Sequence, residues 1–372
     1  MKKKVSILGS TGSIGVQCLN IIQNFNEYFE VVSLSAGSNE KLFEEQVNRF
    51  KPSYYLSHCD KQYDQGVRLD DFESVLKHDD SDLIFIAISG IAGLVPTLLA
   101  VNQGRKIALA NKESIVAAGK FIMESRQKTG AQIIPLDSEH SAIWQCITGE
   151  DLENSINSIV ITASGGSLRD LSYSDLERVT IEQVLDHPTW TMGKKITVDS
   201  ATLINKVFEV QEAINLFSIP FEKIEVLLHR ESIVHGMIRF LDGNVKAMLA
   251  PPDMRFPISY ALFHPDRRFI PGMPELDFNS IKKLSFEKIS TDKLPWFKFG
   301  MDIISEGGLG PAFLVGADQA AVEMFLLGKI KYTDMLSVMK SVYERKKVEA
   351  GYDLESAKEM INWAYKTTLS LV

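Results

Sequence analysis

Cysteine is scarce in this sequence: three in 372 residues, Cys18, Cys59 and Cys146, odd in number and far apart. That argues against a disulfide framework, and no two of them have the close spacing of a zinc site. Long apolar runs are missing as well. No stretch approaches the roughly 20 residues that a membrane helix needs. The start, Met1-Lys-Lys-Lys-Val5-Ser-Ile-Leu, imitates a signal peptide only until Gly9, Gly12 and Gly15 interrupt it. An excess of positive charge is lacking too: 40 Lys and Arg against 48 Asp and Glu leave a net charge of -8. A surface of that sign argues against nucleic acid or an anionic membrane as partner. Any anionic ligand must then be held by local donors. Internal repeats and low-complexity segments are absent. What remains is an ordinary globular composition, long enough for two or three domains and expected in a reducing cytoplasm.

The N-terminal stretch reads as strand, glycine turn and helix. Val5-Ser-Ile-Leu is a short apolar run, Gly9-Ser-Thr-Gly12-Ser-Ile-Gly15 follows, and Val16-Gln-Cys-Leu-Asn-Ile-Ile shows helical spacing. That order is the context a dinucleotide fingerprint requires. Backbone amides and the hydroxyls of Ser10, Thr11 and Ser13 are placed to hold a pyrophosphate at the helix start. Gly9, Thr11, Gly12, Ser13 and Ile14 are therefore candidate cofactor contacts. The second strand, residues 30–35, ends in Ala36-Gly37-Ser38-Asn39-Glu40-Lys41. An acid at the strand end would hold the ribose hydroxyls of NAD. Gly37, Ser38 and Asn39, with Lys41 nearby, leave room for a 2′-phosphate, so NADPH is the expected cofactor. Glu40 is expected to face away from it, in the first turn of a helix.

Further strands at 83–88, 106–110 and 132–136 alternate with helical segments, which argues a parallel, doubly wound Rossmann-type sheet. Residues just past the strand ends line the ligand crevice of such a sheet. Three ends stand out: Ser89-Gly90-Ile-Ala-Gly93, Asn111-Lys112-Glu113-Ser114 and Asp137-Ser138-Glu139-His140. Asn111 and Glu113 join the cofactor candidates. Asp137 and Glu139 are two apart, so in extended chain both carboxylates point to one side and suit Mg2+ or Mn2+. The plainer reading is a strand end whose Asp caps the next helix, with Glu in its first turn.

The chemistry concentrates in residues 187–210, HPTWTMGKKITVDSATLINKVFEV. Pro188 and Gly193 exclude a regular helix between them, so His187, Trp190 and Met192 ride on a loop that Gly193 lets move. A short strand at 195–198 is expected next, then Asp199-Ser200 capping a helix from Ala201 to Val210. On that helix Asn205 and Glu209 are four apart and Lys206 and Glu209 three apart, so amide, ammonium and carboxylate share one flank. A donor-rich helix start suits an anion and the carboxylate a cation. The plainer alternative is a capped surface helix with one ion pair. Upstream, a strand at 157–162 ends in Ala163-Ser164-Gly165-Gly166-Ser167, a loop of donors fit for an anion. Downstream, strands at 232–240 and 245–250 flank the hairpin signal Asp242-Gly243.

Together these blocks resemble the 1-deoxy-D-xylulose 5-phosphate reductoisomerase family. The matching stretches are GSTGSIG, AGLVPT, ANKES, LDSEH, TASGG, HPTWTMGKKITVDSAT, INK with Glu209, ESIVHGM and PPDMR with Pro257, in order across residues 5–257. The resemblance implies that Asp137, Glu139 and Glu209 bind a divalent metal. It places Ser138, Lys112 and His187 against the substrate's oxygens. Ser164, Ser200, Asn205 and Lys206 would hold its phosphate, with His235 nearby. Trp190 and Met192 would belong to a mobile lid, Trp190 over the substrate and Met192, with Gly193, on the nicotinamide. Lys112, Glu139, His187 and Trp190 then carry the catalytic roles. The family commonly has Asn at 189 and Met-Met-Asn-Lys-Gly-Leu-Glu at 203–209, changes that touch no proposed ligand group. It also shows an Asn-Ala-Ala-Asn-Glu run where this chain has Val315-Gly-Ala-Asp318-Gln319.

The implied reaction is a metal-assisted rearrangement of a sugar phosphate, followed by reduction with NADPH and carried out by a homodimer. Lys112 and metal-bound water are both candidates for moving protons. A semialdehyde-type dehydrogenase shares the glycine fingerprint but wants a nucleophilic Cys, and Cys146 lies in an apolar helical pattern. A non-catalytic NADP-sensing protein would not need the carboxylates or Lys112. The expected division is a nucleotide domain at 1–145, a catalytic α+β domain at 146–265, a connector at 266–294 and a helical bundle at 295–372. Residues 254–274, rich in proline, read as linking chain. Phe325, Leu326, Met335, Leu336, Met339 and Trp363 read as packed core, and Glu344-Arg-Lys-Lys as a solvated face.

Overall fold

The computed structural model describes residues 1–59, 61–289, 294–345 and 353–371. The chain divides into two compact units, one of Met1–Ser114, Ile122–Ser141 and Asp253–Pro274, the other of Ile115–Phe121, Ala142–Pro252 and Glu275–Val372.

In the first unit, β1 (Lys3–Leu8), β2 (Phe29–Ala36), β3 (Tyr54–Ser57), β4 (Val67–Arg68), β5 (Leu83–Ile86), β6 (Lys106–Leu109) and β7 (Gln132–Pro135) form one sheet. Their order is β4-β3-β2-β1-β5-β6-β7, and every pairing is parallel. Helices α1 (Ser13–Asn24), α2 (Glu40–Phe50), α3 (Phe72–His78), α4 (Leu94–Asn102) and α5 (Lys112–Thr129) alternate with the strands. Val5, Ile7 and Leu8 of β1 and all four residues of β5 are fully buried. Such strands are covered on both faces, which is why they read as unbroken apolar runs. The chain crosses from one side of β1 to the other between β4 and β5. The ends of β1 and β5 therefore flank the switch point, where a doubly wound sheet takes its ligand.

The second unit holds most of α6 (Ser138–Ile147), then α7 (Leu152–Ser155), α8 (Ile181–Leu185), α9 (Lys194–Thr202) and α10 (Ile204–Phe217). Its sheet runs β11-β10-β8-β9-β12, from β8 (Ile156–Ala163), β9 (Ile224–Leu228), β10 (Val234–Phe240), β11 (Val245–Leu249) and β12 (Glu287–Lys288). β8 and β9 are parallel, while β10 and β11 form the expected antiparallel hairpin around Asp242-Gly243. The expected strand at 195–198 is instead the first half of α9. Gly193 caps that helix, the amide and hydroxyl of Thr197 both donate to Gly193 O, and Val198 and Ala201 turn into the core. Nor does one helix run from Ala201 to Val210. Leu203, at φ +61° and 1% exposed, breaks the chain there into α9 and α10. Burying the leucine offsets a left-handed conformation that costs a non-glycine about 1–2 kcal/mol.

Residues 253–274 belong to the first unit and are not a plain link. They contain α11 (Arg255–Phe263), which packs on α1. Pro257 falls in its first turn, where the missing N–H would be unpaired in any case. Phe263 meets Phe25 and Phe29 edge-on at 5.2 and 5.1 Å between ring centroids.

The C-terminal helices are α12 (Pro295–Glu306), α13 (Gly310–Leu326), α14 (Asp334–Tyr343) and α15 (Leu354–Leu369). Gly316 lets α13 and α15 approach closely, since a Cβ there would lie 2.2 Å from Ile361 O. Phe325, Met335, Leu336 and Met339 are buried, with Leu326 and Trp363 packed against them, in a core shared with Val198, Val207 and Phe208 of α9 and α10. Glu344 and Arg345 are exposed; Lys346 and Lys347 lie outside the described residues. Among the described residues no helix is long and apolar enough to cross a membrane.

Candidate active site

In the first unit the glycine turn follows β1. Gly9 stands at φ +93°, and a Cβ on it would lie 2.6 Å from Ala87 O at the end of β5. A Cβ on Gly15 would come within 2.4 Å of Gly9 O, so helix and turn close up only without side chains. Gly12 caps α1, and its nearest neighbour to a Cβ is 3.4 Å away, so the fold itself does not demand glycine there. What a glycine keeps clear at that position is the backbone approach of a ligand. Gly12 and Ser13 are exposed, with Thr11 and Ile14 half-buried. Ser10 differs from the expectation. It is fully buried, its hydroxyl donates to Gln46 Oε1 at 2.7 Å, and Gln46 Nε2 returns a bond to Ser10 O at 2.9 Å. Ser10 therefore braces the loop against α2 and does not face a phosphate.

Gly37, Ser38 and Asn39 are exposed at the end of β2, with no acid among them. Asn39 also caps α2, accepting from Leu42 N at 3.3 Å. Glu40 takes the Cys59 thiol proton in a hydrogen bond. Asn111 is 2% exposed and clamps two loops: Nδ2 donates to Ile88 O at 2.8 Å and Gly90 O at 2.6 Å, and Oδ1 accepts from Ser114 N. Its amide also reaches Glu113 Oε2 at 3.2 Å.

The acidic pair sits after β7. Asp137 immediately precedes α6 and Glu139 is in its first turn, so the two carboxylates are not side by side on extended chain. They still approach: one oxygen of each lies within 4.8 Å of the other. Lys112 Nζ contacts Asp137 Oδ2 at 2.6 Å, with both side chains largely buried. Ser138 Oγ donates to Glu139 Oε2 at 2.5 Å. Two hard oxygens beside a fixed ammonium make a donor set for a divalent cation and an oxyanion.

In the second unit β8 delivers Ser164. Gly165 and Gly166 follow at φ +88° and +73°, and a Cβ on Gly166 would lie 2.5 Å from Ser200 O. The loop thus rests directly on the backbone of α9. Ser164 Oγ is 3.0 Å from His187 Nε2, and His187 Nδ1 accepts from the amides of Thr189 and Trp190 at 3.1 and 3.0 Å. Two donors on Nδ1 leave the ring proton on Nε2, so His187 donates to Ser164. Burial, then the charges of Arg169 and Lys206, push the imidazole down to about 4, so it is neutral at physiological pH. Ser164 Oγ also accepts from Gly166 N at 3.3 Å, which leaves its own proton for a ligand oxygen.

The flank expected on α10 is present. Glu209, 1% exposed, accepts from Asn205 Nδ2 at 2.5 Å and from Lys206 Nζ at 2.7 Å. Lys206 also donates to Thr162 O at 2.8 Å, tying α10 to the end of β8. Ser200 is buried on α9. His235 bonds Ala250 O through Nε2 at 3.1 Å, and Trp190 lies edge-on to it at 5.9 Å. Met192 is half-buried and Gly193 exposed. Sequence reasoning passed over Arg169, which holds Ser164 O at 2.8 Å and bears on His187, and Gln46 behind the glycine turn. Neither carries a motif; both act across loops that sequence spacing does not connect.

The family described as 1-deoxy-D-xylulose 5-phosphate reductoisomerase matches residues 5–119, its C-terminal domain residues 133–217, and the DXP reductoisomerase C-terminal domain residues 249–367. A protein of that name from Pelotomaculum thermopropionicum is 40% identical over 376 residues, covering 97% of this chain and 96% of its own. The solved structure of the Zymomonas mobilis reductoisomerase with NADPH superposes with a TM-score of 0.91 at 33% identity, covering 100% of this chain and 99% of that one. A reductoisomerase solved with NADPH, fosmidomycin and magnesium gives 0.91 at 31% identity, covering 99% and 98%.

Proposed function

The chain belongs to the 1-deoxy-D-xylulose 5-phosphate reductoisomerase family, and from that premise we propose how its residues divide the work. The enzyme rearranges the carbon skeleton of 1-deoxy-D-xylulose 5-phosphate and reduces the product with NADPH to 2-C-methyl-D-erythritol 4-phosphate, with a divalent cation as cofactor. This is a step of non-mevalonate isoprenoid biosynthesis.

Asp137, Glu139 and Glu209 are the metal ligands in this reading, their hard oxygens suiting Mg2+, with Mn2+ as an alternative. Bound there, the cation would act as a Lewis acid on the substrate's carbonyl and hydroxyl oxygens, stabilising the charge that develops as the carbon–carbon bond breaks. The observation that carries the assignment is the buried flank of α10, where Asn205 and Lys206 converge on one carboxylate beside the end of β8. Ser164, Ser200, Asn205 and Lys206 hold the phosphate, which keeps the fragments of the broken chain from separating. Neutral His187 donates its Nε2 proton to Ser164 and so turns the Ser164 hydroxyl proton toward a substrate oxygen. Lys112 and Ser138 contact the reacting oxygens, and His235 backs the substrate under Trp190. Trp190 and Met192 close over the site and exclude water from the nicotinamide.

NADPH brings the hydride that reduces the rearranged aldehyde. Gly9, Thr11, Gly12, Ser13 and Ile14 receive its pyrophosphate, Gly37, Ser38 and Asn39 its 2′-phosphate, and Asn111, Glu113, Met192 and Gly193 its nicotinamide half. Residues 1–145 bind the nucleotide and contribute Lys112, Asp137, Ser138 and Glu139, 146–265 supply the remaining metal and substrate contacts, 266–294 connect, and 295–372 add a helical bundle. The active form is a homodimer in the cytoplasm, without nucleic acid or membrane as partner. A dehydrogenase working through Cys146 is disfavoured: that thiol is 1% exposed, and burial pushes it up to about 11.

The test is direct. Incubation with 1-deoxy-D-xylulose 5-phosphate, NADPH and Mg2+ should deplete the absorbance of reduced nicotinamide, and EDTA should stop it. Full turnover after chelation would rule out the metal-centred mechanism, and undiminished turnover by Glu139→Gln would remove the site assignment.

A further inference from the structure

Asp318 lies on α13 and is fully buried. Its Oδ2 accepts from Lys195 Nζ at 2.7 Å, and the same ammonium donates to Asp199 Oδ2 at 2.5 Å. Lys195 therefore bridges two buried carboxylates, one on its own helix and one 123 residues further along the chain, with the Phe208 ring 5.4 Å away. A cation held on two sides by buried acids is fixed much more firmly than a surface pair, and loss of Asp318 leaves it tied to its own helix through Asp199 but no longer to α13.

The position of Lys195 gives this clamp a function. It stands in the first turn of α9, two residues past Gly193, where the loop carrying Trp190 and Met192 ends. No helix or strand spans residues 186–193. The loop is tied at its start by the Thr189 and Trp190 amides on His187, and at its end by Thr197 on Gly193 O. Ser200 follows on the same helix. Whatever fixes the first turn of α9 therefore fixes the loop's far anchor, and the C-terminal helices reach that turn through Asp318.

We propose that Asp318 is a positioning residue for the reaction, acting through Lys195 to hold the anchor of the Trp190–Met192 lid and the Ser200 hydroxyl in place. The inference rests on the lid and phosphate roles proposed above. A group that merely held the bundle together would lower the folded fraction without altering the KM of the enzyme that stays folded.

Asp318→Asn keeps the shape and removes the charge. With 1-deoxy-D-xylulose 5-phosphate, NADPH and Mg2+, its KM for the sugar phosphate should rise at least tenfold and its kcat should fall. Its Kd for NADPH, read by fluorescence, should rise by less than the KM for the sugar phosphate, since the contacts proposed for the pyrophosphate and 2′-phosphate lie away from this anchor. Lys195→Met should reproduce the rise, and the double variant should be no worse than either alone, as residues acting as one unit are not additive. An unchanged KM in folded Asp318→Asn, or effects that multiply in the double variant, would overturn the proposal. Should Asp318→Asn fail to fold, an unchanged KM in Lys195→Met overturns it equally. A wild-type enzyme that does not turn over would sink the assigned reaction instead, a result distinct from active wild type with insensitive variants.

Discussion

Lys206→Met should destabilise the second unit by an amount set by one buried charge. Lys206 and Glu209 have side chains only 6% and 1% exposed, joined at 2.7 Å. Methionine occupies nearly the same volume, so cavity formation contributes little. The dominant cost is the Glu209 carboxylate losing its ammonium partner, plus the Thr162 carbonyl losing the Lys206 donor. Removing one partner of a buried ion pair costs about 3–5 kcal/mol. For a unit of this size each kcal/mol lowers the melting temperature by about 2–4 °C, so the fall should be roughly 6–20 °C. Circular dichroism melts of the full chain would measure it. Adding Glu209→Gln to Lys206→Met should recover most of the loss, because the charge that lost its ammonium goes too. Mg2+ should also recover part of it, since a ligand at a hundred times its Kd stabilises by about 2.7 kcal/mol. A Lys206→Met melt within about 2 °C of wild type, or no recovery in the double variant, would refute the reasoning.

Three further outcomes follow from local geometry. His187 is held down to about 4 from an ordinary 6.5, so the unfolded chain takes up a proton that the folded one refuses as pH falls through that window. Native stability should decline between about pH 6.5 and 4 on this account and be untouched above it; His187→Gln should flatten that decline in pH-resolved melts, and identical profiles would refute the burial argument. Gly166→Ala would force a Cβ to 2.5 Å from Ser200 O and should melt earlier and lose most kcat, while Gly193→Ala, with φ -64° and nothing within 4 Å, should melt no lower than wild type. Gly37→Asp also meets no neighbour within 4 Å, so it should fold normally; the added carboxylate should raise the KM for NADPH at least tenfold and improve NADH, read from steady-state rates with each nucleotide.

Five of the seven strands of the first unit were legible because a parallel strand covered on both faces is largely apolar, as in Leu83–Ile86; the short β3 and β4 went unread. The hairpin at Asp242-Gly243 was legible because Gly243, at φ +89°, occupies a conformation that other residues avoid. The flank of Asn205, Lys206 and Glu209 followed from helical spacing alone. Other stretches misled. Lys195–Val198 alternates like a strand, yet it is a helix because Gly193 and Thr197 start one there and Val198 packs inward. Nothing in the residues around Leu203 signals a left-handed break; its burial in the core decides it. Ser10 looked like a phosphate donor because it sits in the glycine turn, but its partner Gln46 is 36 residues away. The prolines between 254 and 274 suggested linking chain, although Pro257 is well placed in a helix's first turn.

The order of residues determined the chemistry available: a glycine turn between strand and helix, no acid at the end of β2, acids and an ammonium at fixed spacings, and a loop that cannot be helical. Those features are local, set by backbone sterics and by a period of two or 3.6 residues, and so they can be read from neighbours in the chain. Only the folded molecule decided which nitrogen of His187 carries the proton, that Ser10 is a brace, and that Lys195 answers to an aspartate far along the chain. These depend on burial and on partners brought together by packing, where the missing water turns a spacing into an obligatory bond.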